Sequence, residues 1–376
     1  VEYAMRILYL DLLSPYGHIN LNITLVNILS NFTSVDVAWK QDYIEIDSLP
    51  KTVMKYYFIP VDYYQYNSKI DYRIKNIKII KWILKNIYIK KYDLIFISSY
   101  ETISFSLVWP KKLYSRVVIL NHNNLDELVD KRKLFFFKHI PKYIEHIVFE
   151  EYMKEYLLKE VKISNNVWII NYPIGSLEVD DNKNNVDGNK TREKRRIIFA
   201  PSGSNDENFI SELIDLQKGK NLLSQFPFTL IVKSKKLQYK DDCLIITQKY
   251  FDKEKYKWYF KNSFLILLPY PKDFHYRISS VLFDCFAFKK RFISTSVPIF
   301  EYYINKYPGI GETFDNIDEF QEILSRISKE PMGYFFPETG FYGSNCFDVI
   351  QKDYSNEHIE KELRAIVVKG ENLSIR

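Results

Sequence analysis

Cysteine is nearly missing from this 376-residue chain. The three present, Cys243, Cys285 and Cys346, all fall in the second half, without the spacing of metal ligands. Neither a disulfide framework nor a zinc site can be built from them, so a reducing cytoplasm is the expected compartment. No apolar run reaches the roughly 18 residues of a membrane span, and the opening "VEYAMRILYLDLL" begins with an acid and runs straight into a strand pattern. A spanning helix and a signal peptide are both unexpected. Charge of one sign is also weak: 53 basic against 47 acidic residues leave a net +6, so an anionic partner must be met by a local patch. No DNA- or RNA-binding module is recognisable, and no nucleic-acid partner is expected. What the chain does have is apolar and aromatic mass, 46% and 16% of residues, enough at this length to bury two cores.

Short β-branched runs of strand length alternate with helical stretches or turns. They lie at 6–12, 34–39, 92–98, 116–122, 146–151 and 166–171, and resume at 196–202, 228–234, 243–248, 264–270 and 291–296. Alternation of this kind predicts βα units around parallel sheets. Between the two series, 175–196 is polar, charged and nearly free of large apolar side chains, as a linker is. The expectation is an α/β protein of two doubly wound, Rossmann-like domains, 1–174 and 197–355, facing each other across a cleft. A C-terminal helix at 356–376 would pack back on the first domain. Ligands of such sheets collect at the carboxyl ends of the strands.

Glycine is sparse too, at 11 residues, which makes one glycine-free elbow conspicuous: "LLPYPKDFHYRISSVLFDCFAF" (267–288) starts as a buried strand and ends as a helix. If Ser279 and Ser280 open that helix, their hydroxyls and the unpaired first-turn N–H groups, with Arg277 beside them, form a phosphate site. An ordinary Ser-capped helix with a surface Arg is the alternative. In the first half, "SPYGHINLN" (14–22) follows the first strand; Gly17 lets backbone approach a ligand, and His18 is either a base or merely a helix-start residue. His122 ends the strand "RVVIL", at an exposed strand end where an imidazole is well placed for function. The stretch 69–91 sets Ile70, Ile74, Ile77, Ile80, Leu84 and Ile87 on one helical side, expected to be core. Lys75, Lys78, Trp82 and Lys85 fall on the other, a basic face suited to anionic lipid headgroups or simply to water.

The order of elements in 250–298 resembles the donor half of GT-B glycosyltransferases, especially the large retaining group that builds bacterial polysaccharides and sucrose. A helix precedes a strand ending in Pro, a loop leads to a nucleotide-sugar helix, and a further strand leads to a Pro-containing turn. That family commonly carries two acids separated by seven positions. Asp284 stands at the second place, where the resemblance implies a grip on ribose hydroxyls, while Tyr276 replaces the first. "RIS" replaces the family's Gly-Phe-Gly, leaving pyrophosphate contacts to Arg277, Ser279 and Ser280. The resemblance extends to 121–158, where it implies that His122 meets the donor sugar, to "INYPIG" (170–175), and to 14–22 as a loop over the acceptor with Gly17 and His18. Family members bind phosphate with a Lys near 206, where this chain has Asp206. Backbone of "PSGS" with Ser202 and Gly203, and the charges of Lys233 and Lys235, would have to serve, unless Lys233–Lys236 is only a solvated run.

The resemblance thus implies a glycosyltransferase of surface polysaccharide synthesis, cytoplasmic by its cysteines and peripheral to the membrane by the basic face of 69–91. It would move a sugar from a nucleotide diphosphate donor, UDP or GDP foremost, to a glycan or lipid-linked acceptor, with retention and no metal or other cofactor. The alternatives are a nucleotide-sugar epimerase of the same fold and a non-catalytic subunit that stabilises a partner transferase.

Overall fold

A computed structural model describes residues 5–45, 48–110, 116–122, 124–174, 195–329 and 344–371. These residues form two compact units. The first takes everything up to 174 together with Tyr276–Ile278 and the chain from Asp353 on; the second takes the remainder.

The apolar runs of the first half become strands because their central members are buried on both faces, as strands of a parallel sheet covered by helices must be, with the edge strand Val167–Ile169 half-buried. They are β1 (Arg6–Asp11), β2 (Ser34–Lys40), β4 (Leu94–Ser99), β5 (Arg116–Leu120), β6 (Ile144–Val148) and β7 (Val167–Ile169). One strand at the sheet edge, β3 (Lys55–Ile59), has no apolar run to announce it. The sheet order is β3-β2-β1-β4-β5-β6-β7 with every pairing parallel. Its helices are α1 (Ile19–Ser30), α2 (Lys69–Asn86), α3 (Thr102–Val108), α4 (Lys131–Lys138) and α5 (Glu151–Glu155), the last continuing as a π-helical stretch, Tyr156–Val161.

The second unit repeats the plan with β8 (Arg196–Ala200), β9 (Phe228–Lys233), β10 (Tyr239–Lys240), β11 (Leu244–Thr247), β12 (Leu265–Leu268), β13 (Phe292–Thr295) and β14 (Gly311–Phe314). The order is β10-β11-β9-β8-β12-β13-β14, antiparallel only at β10. Around it lie α6 (Glu207–Lys220), α7 (Lys253–Asn262), α8 (Ser280–Ala287), α9 (Pro298–Lys306), α10 (Ile317–Ser328) and α11 (Ser344–Asp353). Gly311 is required here: a Cβ would meet the Phe292 carbonyl oxygen at 2.5 Å. The last helix, α12 (Asn356–Glu371), packs against α1 of the first unit, where Glu360 accepts from the Asn31 amide and Glu362 from the Asn171 N–H.

Of the expected linker at 175–196, residues 175–194 lie outside the described residues; Arg196 already begins β8. The buried face of α2 differs from expectation by about a quarter turn at 100° per residue. Asn76, Ile79, Ile80 and Ile83 are buried, whereas Ile70 and Ile74 are exposed. The helix is rich in Ile on two sides, and packing against α3 selects between them. Among the described residues, no helix is long and apolar enough to cross a membrane.

Each sheet reverses its winding at one place, between β1 and β4 and between β8 and β12. Loops leave the carboxyl ends of the strands on either side of such a reversal in opposite directions and open a crevice. This brings together the loops after β1 and β4 in the first unit, and those after β8 and β12 in the second.

Candidate functional site

In the first unit the crevice is organised by an acid at the end of β1. Asp11 is fully buried, and its carboxylate accepts from the backbone N–H of Ser14 at 2.8 Å, from the Asn22 amide at 2.5 Å and from the Ser99 hydroxyl. A buried carboxylate held by several donors fixes whatever supplies them. Here that is the turn Leu13–Ser14, with Ser14 in the left-handed region (φ 43°), followed by a 3-10 turn, Tyr16–His18, that leads into α1. His18 is thereby set beyond the carboxyl end of β1. Gly17 has no positive φ, and a Cβ built on it meets no atom within 4 Å.

His122 follows β5 and is anchored by its neighbour. Asn121, fully buried, donates its backbone N–H to the Ile147 carbonyl at 2.8 Å, accepts from the Tyr100 hydroxyl at 2.7 Å, and has its amide nitrogen 3.0 Å from His146 Nδ1. The buried His122 ring meets the half-buried His18 ring edge-on, with Nε2 3.1 Å from the His18 ring nitrogens. Burial pushes the His122 imidazole well below its ordinary pKa, and His18 adds to the effect; burial lowers His18 as well, against the pull of Asp11. Two histidines far apart in the sequence therefore form a neutral pair at pH 7, one ring donating and the other accepting. They line a 90 Å³ cavity that also meets Tyr72, Glu101, Glu127 and Lys133. Glu101 caps α3 through Ser104, and Glu127 pairs with Lys133 at 2.7 Å.

The elbow departs from both units' expected outlines. Tyr276–Ile278, between elements of the second unit in sequence, belongs by contact to the first. The Tyr276 ring stacks on Tyr156 of the π-helical stretch at 3.9 Å, Ile278 donates to the His122 carbonyl at 3.3 Å, and Asp126 accepts from the Tyr276 N–H at 2.5 Å. Asp126 also pairs with Arg277 Nε at 2.8 Å.

In the second unit Ser279 is the N-cap of α8; its hydroxyl accepts from the Leu282 N–H at 3.2 Å and shares a 2.8 Å hydrogen bond with Tyr270. Ser280, the first helical residue, is exposed. Burial of Val281, Leu282, Phe283, Cys285 and Phe286 fixes the helix against the core, each large side chain contributing about 1.5–3 kcal/mol. One turn in, Asp284 accepts from the Tyr256 hydroxyl at 2.6 Å, and its pKa is pushed up to about 6 by burial, with the tyrosine opposing.

The loop after β8 lies beside the one after β12: Asp206 donates its N–H to the Pro269 carbonyl at 2.6 Å. Ser202 is buried and accepts from the Ser204 N–H, while a Cβ on Gly203 would meet the Tyr250 hydroxyl at 3.2 Å. Asp206 caps α6, and Glu207 in the first turn of α6 accepts from Ser234 and from the Lys235 N–H. Lys233 is buried; its ammonium donates to the Ser234 carbonyl at 2.5 Å and lies 4.6 Å from the Tyr250 ring centre, and burial lowers its pKa. Lys235 is exposed. Two acids thus stand at the start of α6, whereas the start of α8 has none in its first turn.

The structure brings His18 to His122 and places Arg277 with Asp126, groupings invisible in the sequence. Asp11, Asn22, Asn121 and Asp126 escaped sequence reasoning. The available signal for Asp11 and Asn121 was their position, a polar residue at the carboxyl end of a parallel strand.

No protein-family model matches the chain, and no curated protein matches it by sequence. Solved structures do match it in shape. Sucrose-phosphate synthase from Thermosynechococcus elongatus aligns over 97% of this chain and 98% of its own at 12% identity, with a TM-score of 0.69. The trehalose-6-phosphate synthase OtsA aligns over 96% and 98% at 11% identity, TM-score 0.61. UDP-N-acetylglucosamine 2-epimerase from Rickettsia bellii aligns over 97% and 96% at 12% identity, TM-score 0.61. Likeness at these identities is a likeness of fold, and that fold is GT-B, two parallel-sheet α/β domains in one chain.

Proposed function

We propose that this GT-B chain is a glycosyltransferase that moves a sugar from a nucleotide diphosphate donor, UDP or GDP foremost, to a glycan or lipid-linked acceptor in surface polysaccharide synthesis. The observation that carries the reading is the elbow. A parallel strand leads to a Ser-capped helix, with Arg277 two positions before the cap in the sequence and Asp284 one turn into the helix. In the reaction the bond between the anomeric carbon and the diphosphate oxygen breaks, and a bond to an acceptor hydroxyl forms. Negative charge grows on the departing diphosphate while the sugar becomes oxocarbenium-like. Donors fixed in advance at Ser280 and Arg277 stabilise that charge without reorganising. Asp284 accepts from ribose hydroxyls, sharing its carboxylate with Tyr256. His122, neutral, accepts or donates a hydrogen bond at the donor sugar, and the cavity beside His18 and Gly17 takes the acceptor. Retention, which the resemblance of 250–298 implies, belongs to the same reading.

Phosphate at the start of α6 is disfavoured by Asp206 and Glu207; Ser202, Gly203, Lys233 and Lys235 would act there through backbone N–H groups more than through charge. A cytoplasmic, membrane-peripheral location goes with a lipid-linked acceptor. Its support is the exposed side of α2, which carries Ile70, Ile74, Lys78, Lys81 and Lys85.

Arg277→Ala tests the clamp. It should weaken UDP or GDP binding by about 1.5–3 kcal/mol and leave uridine or guanosine unaffected. Equal losses for diphosphate and nucleoside would refute it. The likeness to the Rickettsia bellii epimerase supports a second reading, nucleotide-sugar epimerisation. Product analysis separates the two, since an epimerase returns an isomerised sugar and a transferase leaves a glycosylated acceptor.

A further inference from the structure

Asp126 opens a 3-10 turn, Asp126–Val129, four residues after His122. Its side chain is 3% exposed, yet no part of the chemistry above uses it. A carboxylate so deeply buried must be paired, and two of its partners are in the elbow. One oxygen takes the Tyr276 N–H at 2.5 Å, and the other meets Arg277 Nε at 2.8 Å. The same three-residue segment is held on either side, by Tyr276 on Tyr156 and by Ile278 on the His122 carbonyl.

We infer that Asp126 is a positioning residue for donor recognition: it fixes the main chain at Tyr276 and the direction of the Arg277 guanidinium, so that diphosphate binding depends on Asp126 through Arg277. The inference rests on the donor reading above. An arginine side chain is long and loses rotamer freedom when it binds; the ion pair with Asp126, close at 2.8 Å though not aligned as a hydrogen bond at Nε, and the hold on the preceding N–H remove part of that cost beforehand. A guanidinium carries five N–H donors in a planar fork, so a contact through Nε does not by itself exclude a phosphate at the fork's other edge.

The sign of one substitution decides. By Coulomb's law alone, neutralising an acid beside a phosphate-binding arginine should tighten anion binding. Positioning predicts the reverse. Calorimetry with UDP, GDP and their nucleosides on the full chain should show Asp126→Asn, which keeps an acceptor for the Tyr276 N–H, weakening diphosphate about 10-fold with nucleoside unchanged. In the double variant with Arg277→Ala the Asp126 effect should vanish. Tighter diphosphate binding by Asp126→Asn, no change, or losses that multiply in the double variant would each overturn the inference while Arg277→Ala alone still showed its loss. If Arg277→Ala binds diphosphate as wild type does, the clamp falls and the inference with it. Should Asp126→Asn not fold, Asp126→Glu shifts the carboxylate by one methylene. It should weaken diphosphate in the Arg277 background and not in Arg277→Ala, and equal effects in both overturn the inference.

Discussion

His122 is held in place from behind, by Asn121 and the Ile147 carbonyl, while its ring is turned to His18. Its substitution therefore separates chemistry from binding. His122→Ala should lower turnover about 10²-fold or more with nucleotide affinity little changed, whereas His18→Ala should raise the apparent KM for acceptor. Steady-state kinetics alongside nucleotide titration checks both, and near-normal turnover in a folded His122 variant would remove the catalytic assignment. The same burial has a consequence for stability. His122 and His146, the latter with its pKa pushed down to about 3, stay neutral in the fold but take up protons in the unfolded chain below about pH 6.5. Stability is therefore complete above that pH and is lost as pH falls. Asp284 works oppositely: its folded carboxyl takes a proton near pH 6 and its unfolded one near 4, which favours the fold as pH drops between them. Asp284→Asn should thus lose Tm more steeply than wild type from pH 6.5 to 4.5. A parallel pair of Tm curves would mean that the Asp284 carboxyl is not raised by burial.

At the level of elements, α2 shows what periodicity could and could not say. Its exposed side places Ile70 and Ile74 in line with Lys78, Lys81 and Lys85, apolar in the first turns and basic in the last. Such a side suits an anionic bilayer surface, each basic residue contributing about 1 kcal/mol near the headgroups. Lys78, Lys81 and Lys85 together changed to Glu should abolish flotation with phosphatidylserine-containing vesicles and spare nucleotide binding. Flotation that survives the change, or is absent in wild type, removes the membrane contact. The central strands were legible because burial on both faces demands continuous apolar runs, as in "YDLIFIS" and "FLILLPY". Three of the four edges were not: β3 reads "KYYFI", β14 reads "GETF", and β10 is two residues long, while β7 was read in 166–171. An edge strand needs only one paired side and half a covered face, so its composition carries little signal. The site divides likewise. Helix-start Ser279 and strand-end His122 are local patterns. By contrast, the pairing of Asp126 with Arg277 spans some 150 positions of chain and depends on how the elbow is seated.

For the molecule as a whole, GT-B architecture says where ligands belong but not which ones, because a fold hosts many chemistries. The two halves differ in what they offer. The first presents a neutral imidazole pair and a small cavity that Glu101, Asn124, Glu127 and Lys133 also line, suited to sugar hydroxyls. The second offers a Ser-capped helix start and a carboxylate with a raised pKa, suited to a nucleotide. The central claim, that the chain binds a nucleotide diphosphate through the elbow and acts on its sugar, is tested most directly by a thermal-shift titration with UDP, GDP, CDP, dTDP, their sugars and the bare nucleosides. A ligand that binds only the folded state adds about 2.7 kcal/mol at a hundred times its Kd. The account predicts a concentration-dependent rise in Tm for one nucleotide diphosphate and its sugar, smaller for the matching nucleoside and reduced toward the nucleoside's in Arg277→Ala. A flat response to every diphosphate and every sugar nucleotide would contradict it.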